Sequence, residues 1–131
     1  MRYYTVDEAR AVLPTVITIV QRLRDAYVEL RAMQATFLAH QRGASGDGNL
    51  LADPWADEAG PDRSGILTDQ MENAARELDE LGIELKDPAR GLIDFFSLRD
   101  GEVVYLCYLL GEPALLYWHT LDGGFARRQL L

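Results

Sequence analysis

The segment GLIDFFSLRDGEVVYLCYLL, residues 91–110, decides the fold. Apolar and β-branched residues fill two runs, 91–99 and 102–110, and Asp100-Gly101 separates them. An Asp-Gly pair between two such runs is typical of a two-residue β-hairpin turn. A turn of this length sets the register of the two strands, with Asp94 opposite Cys107 and Ser97 opposite Val104. The segment therefore predicts an antiparallel hairpin with a defined register.

Further strands are predicted on both sides of this hairpin. A second turn at Gly111-Glu112-Pro113 leads into ALLYWHT, residues 114–120, which reads as a third strand. IELK, residues 83–86, offers a fourth strand before the hairpin. The sequence therefore predicts a three- to four-stranded antiparallel β-meander over residues 83–120, followed by a C-terminal tail, residues 121–131.

The first part of the chain has the period of a helix. In TVDE, residues 5–8, Thr5 and Glu8 form the reciprocal capping box that starts a helix. The helix is expected to run to about residue 41, with a kink near residues 10–14 because Pro14 lacks an amide proton. Its seam repeats in steps of four and three, as in a coiled coil with one polar layer at Gln34; the seam residues are Val16, Val20, Leu23, Tyr27, Leu30, Gln34 and Phe37.

A second, shorter helix is predicted over residues 66–81, with the same spacing and Gly82 at its end. Between the helices, residues 43–65 contain five glycines and two prolines, which predicts a flexible loop. Two seams joined by a loop indicate an antiparallel, coiled-coil-like helical hairpin over residues 5–81, whose first helix overhangs the second. The predicted fold class is therefore α+β, in a single domain of residues 1–131.

The charge of the chain limits its partners. It has 131 residues, a formal net charge of −8 and an isoelectric point near 4.6. An acidic chain without a basic stripe is a poor ligand for nucleic acid or for anionic membranes. Its start lacks the apolar run of a signal peptide, and its longest apolar run is too short to span a bilayer. Cys107, the single cysteine, is compatible with a reducing compartment, so we expect a soluble cytoplasmic protein.

Three stretches carry a resemblance to a known family: YYTVDEARAVLP, LGIELKDPARGLIDFFSLRDG and VYLCYLLGEPALLYWHTLDGGFARRQ. The chain resembles a family of small prokaryotic proteins known only as a domain of unknown function. The match covers both ends and leaves out the central loop, and it implies kinship of fold without an activity. Such proteins often carry a tryptophan and a basic or polar residue where this chain has Tyr108 and Leu110. The motif residues are Glu8, Glu84, Lys86, Asp94, Glu112, Trp118, His119, Gly124, Phe125 and Arg128.

Several catalytic motifs are absent from the sequence. It has no GxxxxGK[ST] phosphate loop, no HExxH or CxxC pair and no GxSxG elbow. Of the two histidines, His40 fits a cation at a helix end, so histidine chemistry depends on His119. A triad of His119 with Ser97 and Asp94 is rejected, because Ser97 and Asp94 point to opposite faces of one strand.

A metal site depends on the length of the turn at residues 111–113. If that turn holds three residues, Tyr105 faces His119, and Asp94 shares a face of the sheet with His119. If it holds two residues, His119 moves to the other face. In the first case Asp94 and His119 can bind a divalent zinc, manganese or iron ion, with Glu112 or Glu84 as a further oxygen donor.

Two functions follow from these patterns. The first is a non-enzymatic homo-oligomeric module, most simply a homodimer, in which a second copy covers the overhanging part of the first helix. The alternative is a metal-binding protein centred on His119. The tail is expected to be ordered, with Phe125, Leu130 and Leu131 holding it down and Arg127 or Arg128 paired with an acidic group.

Overall fold

The computed structural model describes residues 2–43 and 62–131, without the side chains of residues 42 and 43. Two helices precede five strands that form one antiparallel sheet in chain order. The α+β class is confirmed, and the sheet has more strands than predicted. The elements are α1 (Val6–Gly43), α2 (Arg63–Glu80), β1 (Ile83–Asp87), β2 (Leu92–Arg99), β3 (Glu102–Leu109), β4 (Tyr117–Thr120), a short 3₁₀ helix (Phe125–Arg127) and β5 (Gln129–Leu130).

The predicted capping box opens α1. The backbone amide of Glu8 donates to Oγ1 of Thr5 over 3.1 Å, and the amide of Thr5 donates to Oε1 of Glu8 over 2.9 Å. The helix continues through Pro14 without a break. The hydroxyl of Thr18 donates to the carbonyl of Pro14, one turn earlier. A kink at Pro14 stays a prediction.

The two helices run antiparallel, as two ion pairs between them indicate. Arg22 of α1 pairs with Glu77 near the end of α2, and Glu29 of α1 pairs with Arg63 at the start of α2. The start of α2 at Arg63 corrects the predicted loop, which extended to residue 65. The reason is local, because Asp62 accepts a hydrogen bond from Ser64 and its carbonyl accepts the amide of Ile66. The rest of the predicted loop, residues 44–61, lies outside the described residues.

Burial along α1 fades beyond the level where α2 begins. Val16, Val20 and Leu23 are almost completely buried, whereas Gln34 is exposed and Leu38 is 54% exposed. Gln34 lies past the Glu29–Arg63 pair that marks the start of α2, so α2 does not cover it, and a polar layer at Gln34 stays a prediction. An overhanging end of α1 agrees with the sequence, and a coiled-coil packing of the helices stays a prediction.

The predicted register of the central hairpin is confirmed. Asp94 lies opposite Cys107, and Asp100 and Gly101 both have positive φ angles, 52° and 81°, as a type I′ turn requires. On the next strand Tyr105 lies opposite His119. This is the register that a three-residue turn would give, although the connection from Leu109 to Tyr117 is longer.

One face of the sheet packs on the helices and forms the hydrophobic core. Alternate residues of β2 and β3 point into it, with Trp118 of β4 packed against its edge. Of the described helices, neither is long and apolar enough to cross a membrane. The core residues include Val16, Leu23, Ala74, Leu78, Ile93, Phe95, Leu106 and Leu115.

The tail is ordered, and of its predicted apolar anchors Leu130 is wrong, whereas Phe125 and Leu131 are partly covered. Phe125 and Leu131 are each 37% exposed and Leu130 is 71% exposed. Backbone pairing holds the segment, since β5 extends the sheet beside β4 and the amide of Leu131 donates to the carbonyl of Leu116. The predicted ion pair of the tail is confirmed for Arg128, which binds Glu112.

Candidate functional site

The face of the sheet that points away from the helices carries three buried polar side chains. Asp94, Cys107 and His119 are exposed by only 2%, 1% and 3%. Their strand neighbours Ile93, Leu106 and Trp118 belong to or pack against the core on the opposite face. Because side chains alternate along a strand, these neighbours fix the three polar groups on one face. The sheet therefore brings three chemically active groups from β2, β3 and β4 together.

Asp94 and His119 are in direct contact. Nε2 of His119 lies 3.1 Å from Oδ1 of Asp94, and both side chains are almost completely buried. Nδ1 of His119 lies 2.7 Å from the carbonyl oxygen of Thr120. A carbonyl oxygen only accepts, so Nδ1 carries a proton and donates it there. Nε2 and the carboxylate then share one further proton, because two unprotonated acceptors would repel each other at this distance.

Burial changes the proton affinity of Asp94. Removal from water raises the pKa of this carboxyl above its ordinary value of 3.8, and the neighbouring His119 opposes that rise. The thiol of Cys107 and the imidazole of His119 both bond to the carboxylate. The two donors offset part of the cost of burying the carboxylate, and removal of one donor raises that cost.

Cys107 completes the cluster from the opposite strand. One ligand atom each from Asp94, Cys107 and His119 lies within 4.8 Å of the others. Burial, and next the charge of Asp94, raise the pKa of the Cys107 thiol to about 12. The thiol is therefore protonated at neutral pH and donates to Asp94. A metal ion would have to displace this proton to use the sulfur as a ligand.

Glu112, a predicted oxygen donor, lies on the other side of Cys107. Nη1 of Arg128 donates to both of its carboxylate oxygens over 2.9 Å, and the amide of Leu109 donates to Oε1 over 2.6 Å. The guanidinium of Arg128 also stacks over Tyr117 and interacts with the thiol of Cys107. Glu112 is thus an anchor for the tail, and its carboxylate is already bound.

Glu84, the other predicted oxygen donor, belongs to a second polar group at the edge of the cluster. Nζ of Lys86 donates to Oε2 of Glu84 over 2.5 Å and to the hydroxyl of Tyr105 over 3.3 Å. The Tyr105 hydroxyl donates to the same oxygen of Glu84 over 3.0 Å. The bond from Lys86 holds the pKa of Glu84 below its usual value. The Tyr105 ring lies 5.3 Å from the His119 ring and links the two groups.

A pocket of about 160 Å³ opens above Asp94 and His119. Lys86 and Tyr105 form the rest of its polar side. The other lining residues come from the tail and the start of β2, and they are apolar side chains and one glycine: Leu92, Leu121, Gly124 and Phe125. Cys107 does not line this pocket, so the cluster is open on one side and closed on the side of the thiol.

The remaining motif residues lie outside the cluster. Glu8 caps α1, and Trp118 packs on the core with the guanidinium of Arg99 over its ring. The predicted exclusion of Ser97 is confirmed, because its hydroxyl donates to the carbonyl of Tyr4 on the helix side of the sheet. Gly124 and Phe125 are the members of this group that line the pocket.

Comparison with known protein families gives one match, and it spans almost the entire chain. The profile of the family described as "Uncharacterized conserved protein (DUF2203)" matches residues 2–131. The chain belongs to the DUF2203 family. The expected membership in a family of unknown function is confirmed. Comparison of this DUF2203 chain with curated proteins and with solved structures finds no match.

Proposed function

We propose that this protein binds one divalent metal ion, zinc in preference to others, through Asp94, Cys107 and His119. The supporting observation is the cluster itself, with three ligand atoms within 4.8 Å of one another and almost no solvent exposure. Oxygen, sulfur and nitrogen are the donors that zinc accepts together in proteins. A thiolate ligand favours zinc over manganese, which prefers oxygen donors. Of zinc, manganese and iron, the ligand set therefore disfavours manganese.

The orientation of His119 supports the same proposal. Histidine ligands of metals usually donate their second ring N–H to a carbonyl or carboxylate, which fixes the ring. Nδ1 of His119 makes this bond to the carbonyl of Thr120, so Nε2 is the nitrogen left for an ion. Nε2 now shares a proton with Asp94, and a cation at that position would replace the proton.

The open side of the cluster favours a reactive centre over a purely structural one. Structural zinc sites have four protein ligands, whereas catalytic sites have three and leave the fourth position to water or substrate. Among the described residues this cluster has three such side chains, and the pocket gives access beside Asp94 and His119. A metal-bound water in this pocket would have a lowered pKa and could act as a nucleophile.

Calorimetric titration with zinc at neutral pH tests the proposal. We expect one zinc ion per chain and the release of about two protons, one from the Cys107 thiol and one shared by Asp94 and His119. Because the thiol has a pKa near 12, its thiolate fraction rises with pH, so zinc affinity should rise about tenfold per pH unit from this group alone.

The matched variant is Cys107→Ser, which keeps the size of the side chain but lacks a thiolate. We expect a loss of zinc affinity of at least about tenfold and one proton fewer released. His40→Ala, which removes the other histidine of the chain, should titrate like wild type. Equal zinc affinity of wild type and Cys107→Ser would contradict the ligand set.

We propose in addition that the protein forms a homodimer in the cytoplasm. The favouring observation is the end of α1 beyond Glu29, where Leu38 is 54% exposed and Leu30 is half-buried. Apolar surface of this kind gains about 25 cal/mol per Å² when a second copy covers it. The net charge of −8 disfavours nucleic acid and anionic membranes as alternative partners.

Sedimentation equilibrium at micromolar concentration tests the homodimer. We expect a dimer for the wild type and a monomer for Leu38→Arg, because a buried unpaired charge at the interface is unfavourable. Leu98→Arg is the matched control, since Leu98 is 55% exposed but lies on the sheet, and it should stay dimeric. A monomeric wild type would contradict this proposal and leave the metal site unaffected.

A further inference from the structure

Lys86 is the only lysine in the sequence, and the other basic residues among its thirteen are arginines. This single lysine lines the pocket above Asp94 and His119. A lysine ammonium is a compact point charge, whereas a guanidinium is a wide planar fork. In a pocket of about 160 Å³ an ammonium takes up less space than a guanidinium would.

The ammonium of Lys86 is held in place. It donates to Glu84 and to the Tyr105 hydroxyl, which uses two of its three N–H groups. Burial disfavours its charge, but the bonds to Glu84 and Tyr105 outweigh burial and raise the pKa of Lys86. Lys86 is therefore a fixed positive charge rather than an amine nucleophile, which needs a lowered pKa. It also acts electrostatically on Asp94 across the pocket.

Two of the apolar side chains that line the pocket are partly exposed to solvent. Leu121 is 52% exposed and Phe125 is 37% exposed, and both line the pocket with the buried Leu92. A fully polar ligand gains nothing from these side chains. A ligand with a short hydrocarbon part would cover Leu121 and Phe125 and remove their surface from water.

We propose that the pocket binds a short-chain monocarboxylate, with the carboxylate between Lys86 and the metal ion and the hydrocarbon against Leu121 and Phe125. The pocket of about 160 Å³ is large enough for a small organic acid and too small for a macromolecular segment with several side chains. This inference rests on the proposed metal site, which supplies the second positive charge.

Titration of zinc-loaded protein with butyrate and with inorganic phosphate tests the proposal. The zinc content is measured first. Failure to bind zinc would refute the metal site. Zinc-loaded protein that does not bind butyrate would refute only this inference. For the wild type we expect saturable butyrate binding, tighter than phosphate binding. Phosphate binding equal to or tighter than butyrate binding would identify a plain oxyanion site and overturn the proposal.

Two variants separate the role of Lys86 from general electrostatics. Lys86→Met keeps the length of the side chain without its charge, and we expect the Kd for butyrate to rise about tenfold. Arg90→Met is the matched control, because the Arg90 guanidinium lies 4.7 Å from the Phe125 ring but does not line the pocket. Its Kd should stay within about twofold of wild type. Equal loss in both variants, or none in Lys86→Met, would overturn the assignment of Lys86.

Discussion

Replacement of His119 by alanine is expected to lower zinc affinity at least about hundredfold and to destabilise the metal-free protein by about 3 kcal/mol. Both effects have one cause. In the proposed site Nε2 of the imidazole is a ligand of the metal ion. Without metal, Nε2 shares a proton with Asp94, which is 2% exposed. Removal of His119 leaves that carboxyl buried without its main partner. Urea denaturation of metal-free protein and zinc calorimetry measure the two losses.

The pH dependence of this destabilisation has a definite sign. Burial raises the pKa of Asp94 above its ordinary value of 3.8, and His119 opposes that rise, so the variant has a still higher folded-state pKa. The folded variant then binds the Asp94 proton more tightly than the unfolded chain does. The deficit in unfolding free energy is therefore largest at neutral pH and shrinks as pH falls toward 4.

His40→Ala is the control for the His119 variant, since His40 is exposed near the end of α1. It should retain both zinc affinity and stability, within about 0.5 kcal/mol. A His119→Ala protein that binds zinc as tightly as wild type would remove His119 from the site. A deficit that grows toward acid pH would contradict the assigned proton between Asp94 and His119.

Gly91→Ala is expected to destabilise the fold by about 2–4 kcal/mol. Gly91 has a φ of +71°, which costs a non-glycine residue about 1 kcal/mol, and a Cβ there would lie 2.7 Å from Cβ of Leu110. It would also lie 3.1 Å from Cγ1 of Val20 in the core. Overpacking of this kind adds about 1–3 kcal/mol. Gly91 directly precedes β2, the strand that carries Asp94, so zinc affinity should fall with stability.

Gly101→Ala is the matched control for Gly91→Ala. Its φ of +81° gives the same backbone strain, but no atom lies within 4 Å of the added Cβ. We expect a loss of only about 1 kcal/mol in urea denaturation. If both variants lose the same unfolding free energy, backbone strain alone accounts for the loss in Gly91→Ala, and the close contact with Leu110 has no energetic effect.

The hairpin that decides the fold was predictable because its turn and its strand patterns agree. Asp100-Gly101 fixes the register, and that register already places Asp94 opposite Cys107. The sequence-based ligand set nevertheless took its further donors from the carboxylates of Glu84 and Glu112. The signal for Cys107 was present in the pairing, since a residue opposite a buried aspartate shares its surroundings.

The sequence predicted that an arginine of the tail pairs with an acidic group, but it did not predict the partner or the last strand. The strand β5 has two residues, too few for a period, and its side chains are exposed. The pairing of Arg128 with Glu112 depends on how the chain turns back after Gly124, whose φ is +68°. Lys86 and Glu84 lie two residues apart on β1, so their bond is local, whereas the contact of both with Tyr105 depends on the order of the strands in the sheet.

The register between β3 and β4 was the decisive ambiguity. Two turn lengths gave two faces for His119, and sequence patterns do not distinguish them. The connection from Leu110 to Leu116 is longer than either turn, yet Tyr105 lies opposite His119. Burial explains this outcome, because the same register turns Trp118 toward the core, where its large apolar surface packs.

X-ray absorption at the zinc edge, on protein loaded with one equivalent of zinc, tests the central claim most directly. Binding by Asp94, Cys107 and His119 predicts one sulfur neighbour at about 2.3 Å, with nitrogen and oxygen neighbours at about 2.0–2.2 Å. In Cys107→Ser the sulfur neighbour should disappear. A first shell of nitrogen and oxygen alone in the wild type would contradict the claim, because zinc would then bind away from Cys107.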